Sequence, residues 1–247
     1  MAIIGGRLAR LILDRYEWRD LEAGEHYRAA GKIEKLFGPT FWDQIRGKSV
    51  LDFGCGQGAE AIAMAQHGAA EVIGLEIQEG HLAIAREHQA SLGLHNCRFT
   101  DRFDSQVDVI LSIDSFEHFD RPDLILTEMA RLLKPGGRVI VSFGYPWYHP
   151  KGGHFPLFPW AHVLLTEKAL MKWRSKYKTD GAKRFEEVAG GLNQMSVGKF
   201  ERLVAASPLR FEQFECVPIR ATRVLHCRLT RELLTSVVRC TLVHRID

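Results

Sequence analysis

Several absences narrow the 247-residue chain before any motif is considered. No run of about 18 uncharged apolar residues occurs, so no helix is expected to cross a membrane. The opening MAIIGGRLARLILDRYEWRD meets charges at once and has no signal-peptide cleavage region, so a cytoplasmic location is expected. No Cys-x-x-Cys pair occurs among Cys55, Cys97, Cys216, Cys227 and Cys240, so a zinc knuckle or thioredoxin-like site is not expected. Five is an odd count, and reduced thiols in a cytosolic protein account for it most simply. Nothing reads as disordered, collagenous or repetitive, and no module for recognising DNA or RNA stands out.

What is present is ordinary globular composition, with 46% hydrophobic and 26% charged residues. At about 150 residues per domain the length suits one α/β domain with an appendage. The charge is uneven. Residues 1–167 hold 17 basic and 22 acidic side chains, whereas residues 168–247 hold 16 and 8. A basic C-terminal third could face phosphates, acidic lipid or an anionic substrate; a solvated basic surface is the simpler reading. Residues 3–16 place Ile4, Leu8, Leu11 and Ile12 at helical spacing among Arg7, Arg10 and Arg15. Such a helix could rest on a membrane surface, though packing on its own domain is the commoner arrangement.

From Ser49 onward strands alternate with helices. Val50 to Phe53, Glu71 to Leu75, Cys97 to Thr100, Val107 to Ile113 and Arg138 to Phe143 read as strands. Ala59 to Gln66, Gly80 to Leu92 and a segment starting at Pro122 read as helices, the last ended by Lys134-Pro135-Gly136-Gly137. This alternation means βαβ units and a parallel sheet. Residues 143–162 then carry seven aromatics, four prolines and three histidines, which suits a loop-rich elaboration. Helical pattern returns at Ala161–Tyr177 and Val197–Ala206, and Leu209–Ile219 and Thr235–His244 suggest a late hairpin at the sheet edge.

The informative stretch is Val50-Leu51-Asp52-Phe53-Gly54-Cys55-Gly56-Gln57-Gly58. A strand runs into three glycines and a helix follows. Glycine permits a sharp turn and close approach of a ligand, and the free N–H groups of the helix start favour an anion or carboxylate. Gly54-x-Gly56-x-x-Ala59 also satisfies a dinucleotide pattern, so the loop alone leaves the ligand open. Glu76 closes the second strand, 22 residues after Gly54, where a carboxylate can accept from both ribose hydroxyls of a nucleoside. Asp52 could meet an ammonium group, which nicotinamide dinucleotides lack.

Four blocks, VLDFGCGQG, VIGLEI, VDVILSIDSFEHF and RLLKPGGRVIVSFG, spread over roughly residues 48–143, together resemble class I S-adenosylmethionine-dependent methyltransferases. The similarity is to the branch containing ubiquinone-biosynthesis and small-molecule O-methyltransferases. It implies an α/β, Rossmann-like, seven-stranded, mostly parallel sheet with helices on both faces and an antiparallel last hairpin. It further implies that Asp52, Gly54, Cys55, Gly56 and Gly58 hold the methionine end of the cofactor, that Glu76 holds the ribose, and that Ile77 lies beside the adenine. Asp101 would approach the adenine amino group, and Ser112, Ile113 and Asp114 would line the sulfonium side. The stretch from Asp101 to Val107 is shorter than the family's usual one. One domain is expected, with a helical cap over 1–47, a cofactor core over 48–143, an acceptor-side insertion over 144–208 and a hairpin over 209–247.

Methyl transfer from a sulfonium needs mainly alignment, and a hydroxyl acceptor also needs a base. His118, His149, His154, Glu117 and Tyr27 are candidates. His118 follows the fourth strand; its alternative role is to hydrogen-bond backbone. His154 sits in Lys-Gly-Gly-His-Phe, whose glycines suit a turn aimed inward. These two histidines are the expected catalytic residues, and Glu117 reads as structural. His149, His154 and His162 lack metal-ligand spacing, so no metal is expected. Tyr145, Trp147, Tyr148, Phe155, Phe158 and Trp160 could wall an acceptor pocket, although core packing would use the same residues. His26 and Tyr27 could form a lid. Ser112-Ile113-Asp114-Ser115 stands where nucleic-acid and glutamine N-methyltransferases carry an Asn/Asp-Pro-Pro-aromatic block, which disfavours those acceptors. The resulting expectation is methyl transfer from S-adenosylmethionine to a small-molecule or glycan-like acceptor at oxygen, by a monomer or homodimer with no nucleic-acid partner. The rivals are an NAD(P)-dependent oxidoreductase and a non-catalytic interaction protein that works through the basic third.

Overall fold

The strands alternate their apolar side chains between two faces, and each face needs its own cover. A computed structural model describes residues 2–18, 31–188 and 191–245 and shows how that is met. Helices α1 (Gly6–Leu13), α2 (Lys32–Phe37) and α3 (Phe41–Ile45) come first. Then β1 (Ser49–Phe53), α4 (Ala59–Gln66), β2 (Glu71–Leu75), α5 (Glu79–Ser91), β3 (Cys97–Thr100), β4 (Val107–Ile113), α6 (Pro122–Leu132) and β5 (Leu133–Gly144) build the parallel part. The insertion holds α7 (Ala161–Leu164) and α8 (Glu167–Arg174), and α9 (Val197–Ala206), β6 (Leu209–Pro218), α10 (Arg231–Leu234) and β7 (Thr235–His244) complete the chain. The seven strands lie in the order β3-β2-β1-β4-β5-β7-β6. Strands β1 to β5 are parallel, and β7 runs antiparallel to both β5 and β6. The seven-stranded mixed sheet and its reversed hairpin are as the sequence predicts.

Val50, Val72, Val109, Leu111, Ile113 and Ile140 face α2 to α5, where Phe41, Ile45 and Met64 pack on them. Leu51, Ile73, Ile110, Val139, Val141 and Phe143 point the other way, onto α6 and α9. A third apolar cluster joins α1 to the insertion through Ala9, Leu13, Trp147, Phe155, Leu165 and Trp173. Helix α1 thus packs on its own domain through Ala9 and Leu13, while Leu8 and Leu11 stay exposed.

Two local expectations are corrected. The helix expected over Ala161–Tyr177 is two helices. Thr166 is extended, and its N–H donates to the Ile4 carbonyl at 2.9 Å, so pairing with the N-terminal segment interrupts the helix. The helix from Pro122 does end before the Lys134-Pro135-Gly136-Gly137 block, but that block is already part of β5, which starts at Leu133 rather than at Arg138. Leu133 pairs with Val107, and the register then shifts so that Arg138 faces Val109. A Cβ at Gly137 would lie 2.8 Å from the Asp108 carbonyl oxygen, so only glycine lets the strands close there. Lys134 Nζ donates to Asp108 Oδ1 at 3.0 Å, and Ser49 Oγ donates to Asp108 Oδ2 at 2.6 Å. The Ser49 hydroxyl, the Ser49 backbone N–H and Lys134 hold the Asp108 carboxyl at about 2. This tie fastens the amino ends of β1, β4 and β5.

Phe200 is fully buried on α9 and meets Phe116, Phe143 and Phe211 at ring-centroid distances of 5.2, 5.1 and 6.0 Å. Phe200→Ala should lower the unfolding free energy by about 3–5 kcal/mol in a denaturant titration.

Candidate active site

The carboxyl ends of β1, β2 and β4 meet at the glycine loop. Gly54, Gly56 and Gly58 all have positive φ (79°, 52° and 83°). They differ in what surrounds them. A Cβ at Gly54 would lie 2.9 Å from Ser115 Oγ, and one at Gly58 would lie 2.6 Å from the Phe99 ring. Gly56 has nothing within 4 Å of such a position, so it is the glycine that faces open space. The Cys55 thiol is buried and pushed up by that burial, which makes it inert.

Glu76 fixes the loop. Its Oε2 accepts from the Gly56 N–H at 3.0 Å, and its Oε1 accepts from the Ile77 and Gln78 N–H groups at 2.8 and 3.0 Å. Three of the roughly four lone-pair directions of a carboxylate are thus taken. One direction on Oε2 is left for a ribose hydroxyl, where the sequence suggests two. Ile77, next to it, is 85% exposed and offers a bare apolar surface of the kind a planar base covers. The pairing of Leu75 with Thr100 sets Asp101 beside Glu76 at the strand ends. Asp101 is exposed, and residues 101–106 hold no helix.

Carboxyl groups gather on the other side of the loop. Asp52 is 3% exposed, and its Oδ2 has no hydrogen-bond partner. Burial, and then the Glu60 carboxylate, push its acid well above the usual carboxylate range. Glu117 is also buried with Oε2 unpartnered, and burial followed by Asp114 raises it too. Asp114 is held at φ 49°, a strained conformation that short polar residues tolerate. Lys32 Nζ lies 3.0 Å from Asp114 Oδ2 and 3.5 Å from Glu60 Oε1. Burial opposes its charge, but the two carboxylates more than offset that and raise its pKa. Ser112 Oγ and Ser142 Oγ, on neighbouring strands β4 and β5, are buried without partners. Ile113 is buried between Ser112 and Asp114.

The two expected catalytic histidines meet. The His118 and His154 rings are 5.7 Å apart, edge to face. His118 Nδ1 lies 2.8 Å from the Gly191 carbonyl oxygen. A carbonyl only accepts, so Nδ1 carries the proton and Nε2 keeps a free lone pair. The strand-end turn bearing His118 abuts the loop, because Ser115 Oγ donates to the Gly54 carbonyl at 3.3 Å. Asn193 clamps the same turn. Its Nδ2 donates to the Phe116 and Phe119 carbonyls at 2.6 and 2.8 Å, and its N–H donates to the Glu117 carbonyl at 3.0 Å. His154 has φ 55°, and burial, then the neighbouring His118, lower it to about 4.

The remaining candidates part from this centre. His149 Nδ1 accepts from the Lys151 N–H at 3.0 Å and its ring stacks on Tyr145. Buried His162 donates from Nε2 to the Trp147 carbonyl at 2.5 Å, so its role is structural. Trp147 and Phe155 are packed in the third core, while Tyr145 and Tyr148 stay partly exposed. Phe158 packs against that core, and Trp160 Nε1 donates to the Tyr148 carbonyl. His26 and Tyr27 lie outside the described residues. Among the described residues, no group of three or more His, Cys, Asp or Glu side chains could hold a metal. Lys32, Gly191 and Asn193 belong to the site although no sequence motif marks them.

Residues 51–141 match the family described as a methyltransferase domain. Over 105 residues the chain is 37% identical to the ubiquinone biosynthesis O-methyltransferase of Pseudomonas paraeruginosa, a match covering 40% of this chain and 45% of that protein. The chain thus spans less than half the length of the curated relatives it matches. Among solved structures, an S-adenosylmethionine-dependent methyltransferase from Mesorhizobium loti aligns with a TM-score of 0.56 at 19% identity, over 88% of this chain and 98% of that one. The cyclase SpnF aligns with a TM-score of 0.60 at 16% identity, over 93% and 87%. Residues 51–141 are thus similar to a methyltransferase domain, and the solved S-adenosylmethionine-dependent methyltransferase shares the fold.

Gly56→Ala should weaken S-adenosylhomocysteine binding at least about tenfold, equivalent to about 1.4 kcal/mol, with a modest loss of stability. Gly58→Ala should mainly lower the melting temperature, since Phe99 must move. Calorimetric titration and thermal melting of both variants separate the two roles.

A pH effect follows from His149 and His154. Burial lowers each to about 4 in the folded protein, from an ordinary value of 6.5. The unfolded chain binds protons first, so stability is full above pH 6.5 and falls as pH drops toward 4. Between pH 7 and pH 5 each histidine should cost about 1–2 kcal/mol, and His154→Asn should recover part of it in denaturant unfolding at the two pH values.

Proposed function

We propose that the chain transfers the methyl group of S-adenosylmethionine to a hydroxyl of a small-molecule or glycan-like acceptor, with His118 as the base. The observation that carries this reading is the charge of the site. Asp52, Glu60, Asp114 and Glu117 gather near the glycine loop, where Lys32 bridges Glu60 and Asp114. A cation suits that environment and a pyrophosphate does not, which favours a sulfonium nucleoside over a nicotinamide dinucleotide. The orphaned Oδ2 of Asp52 is suited to an ammonium, and the open side of Gly56 admits the ligand to the backbone.

When bound, S-adenosylmethionine supplies a methyl carbon already activated for displacement. The residues supply alignment and the proton acceptor. Gly191 fixes the His118 tautomer, so Nε2 can take the proton of an acceptor hydroxyl. His154, neutral between pH 5 and 8, faces His118 without adding a competing charge. Transfer to oxygen is in keeping with the Pseudomonas relative, a ubiquinone biosynthesis O-methyltransferase.

S-adenosylhomocysteine should bind in a calorimetric titration and NAD should not; the reverse result would sink the proposal. Burial raises the Asp52 acid, and protonating it removes its attraction for an ammonium, so S-adenosylhomocysteine affinity should fall as pH is lowered. Asp52→Asn should flatten that dependence. His118→Asn should lower turnover with hydroxylated acceptors by about 10²–10⁴ while S-adenosylhomocysteine affinity holds. Full turnover in that variant removes His118 as the base.

A further inference from the structure

The connection between β6 and β7 reverses the usual placement of apolar side chains. Val224 is 94% exposed, Leu229 92% and Leu225 63%. Arg220, Arg223 and Arg228 are exposed among them, and none has an acidic partner among the described residues. A single exposed leucine is ordinary, but three aliphatic side chains interleaved with three unpaired arginines form a mixed surface that water solvates poorly.

The connection is tied down at several points. Arg231 donates from both terminal nitrogens to Glu201, at 2.8 and 2.5 Å. Glu232 accepts from the Val197 and Gly198 N–H groups at 3.1 and 2.7 Å, at the start of α9. The Ile219 N–H donates to the Leu234 carbonyl at 2.8 Å, and Thr230 Oγ1 donates to the Leu225 carbonyl at 2.5 Å. The fold therefore holds Val224, Leu225 and Leu229 outward. Because β7 is antiparallel, with Val237 opposite Gly144, the connection lies at the carboxyl end of β5. That is the end of the sheet where the glycine loop opens.

We propose that residues 219–234 dock this face of the protein on an anionic lipid surface. Arginines reach phosphate groups, and aliphatic side chains enter the boundary between headgroups and acyl chains. A nucleic acid would pair the arginines but leave the aliphatic groups in water, and residues 219–234 hold no Phe, Tyr or Trp on which bases stack. Docking here brings the mouth of the site to the membrane. The proposal is independent of the methyl-transfer reading, since it concerns a surface outside the cofactor site.

The test is co-sedimentation of the full chain with vesicles of phosphatidylcholine alone and of phosphatidylcholine mixed with an equal part of phosphatidylglycerol. The protein should pellet with the anionic vesicles only, and less so at high salt as charges are screened. Arg223→Ala with Arg228→Ala should lower the partition about tenfold or more, at roughly fivefold per basic group. Val224→Ser with Leu229→Ser should lower it about as much, with unchanged melting temperature because both side chains are already in water. Equal binding to both vesicle types, no binding, or binding unaffected by either pair overturns the proposal. Loss of binding only on Leu8→Ser with Leu11→Ser would move the surface to α1 and equally overturn it. Retention of RNA but not of vesicles, abolished by the arginine replacements, would make the surface a polyanion site instead.

Discussion

The Glu76 carboxylate bonds to the backbone of Gly56, Ile77 and Gln78, and through them it sets the form of the whole site. The loop between β1 and α4 takes three left-handed glycine conformations in five residues, which a free chain has no reason to keep. Anchoring Gly56 from the end of β2 makes the neighbouring strand hold the loop open. The seat for the ligand is then part of the sheet, organised before anything binds. Its shape passes onward. Gly54 packs on Ser115, Ser115 begins the turn that presents His118, and Gly191 and Asn193 grip that turn from the far side of the insertion.

Two different chemistries therefore meet along one edge. The strand ends of the parallel half supply carboxylates and bare backbone, suited to a cationic nucleoside. The insertion supplies His154, an imidazole of low proton affinity, facing His118. The match to a methyltransferase domain, over residues 51–141, falls on the first half. The second half lies beyond that match. SpnF, described as a cyclase, has a similar fold, so the sheet alone does not dictate a reaction; the side chains at its rim must.

Much of this was legible in the sequence because the informative residues are adjacent in the chain. Alternating apolar residues between glycines mark each parallel strand, and Asp52, the glycines and Glu76 sit at ends of such strands. The late hairpin was readable for the same reason. The continuity of β5 through Lys134-Pro135-Gly136-Gly137 was not, since those residues signal a turn and only the contact between Gly137 and the Asp108 carbonyl reveals a bulged strand. Lys32 carries no motif; it matters only because folding sets it against Asp114. Asn193 is silent in the same way, for its partners lie more than 70 residues earlier. Sequence spacing placed His118 and His154 separately at the cleft, but the carbonyl that decides the His118 tautomer comes from a segment no local pattern connects to it.

The sheet treats its two ends unequally. At the amino end Ser49, Asp108 and Lys134 satisfy one another. At the carboxyl end the polar atoms Asp52 Oδ2, Ser112 Oγ and Ser142 Oγ are buried with nothing to bond. Unmet hydrogen-bonding groups of this kind each cost about 1–3 kcal/mol, and they lie beside the ligand seat. A ligand that satisfies any of them contributes its binding free energy to the folded state by mass action. How firmly this chain holds its fold is then a function of how much of that ligand surrounds it, so a cell depleted of the ligand would also lose some of the protein.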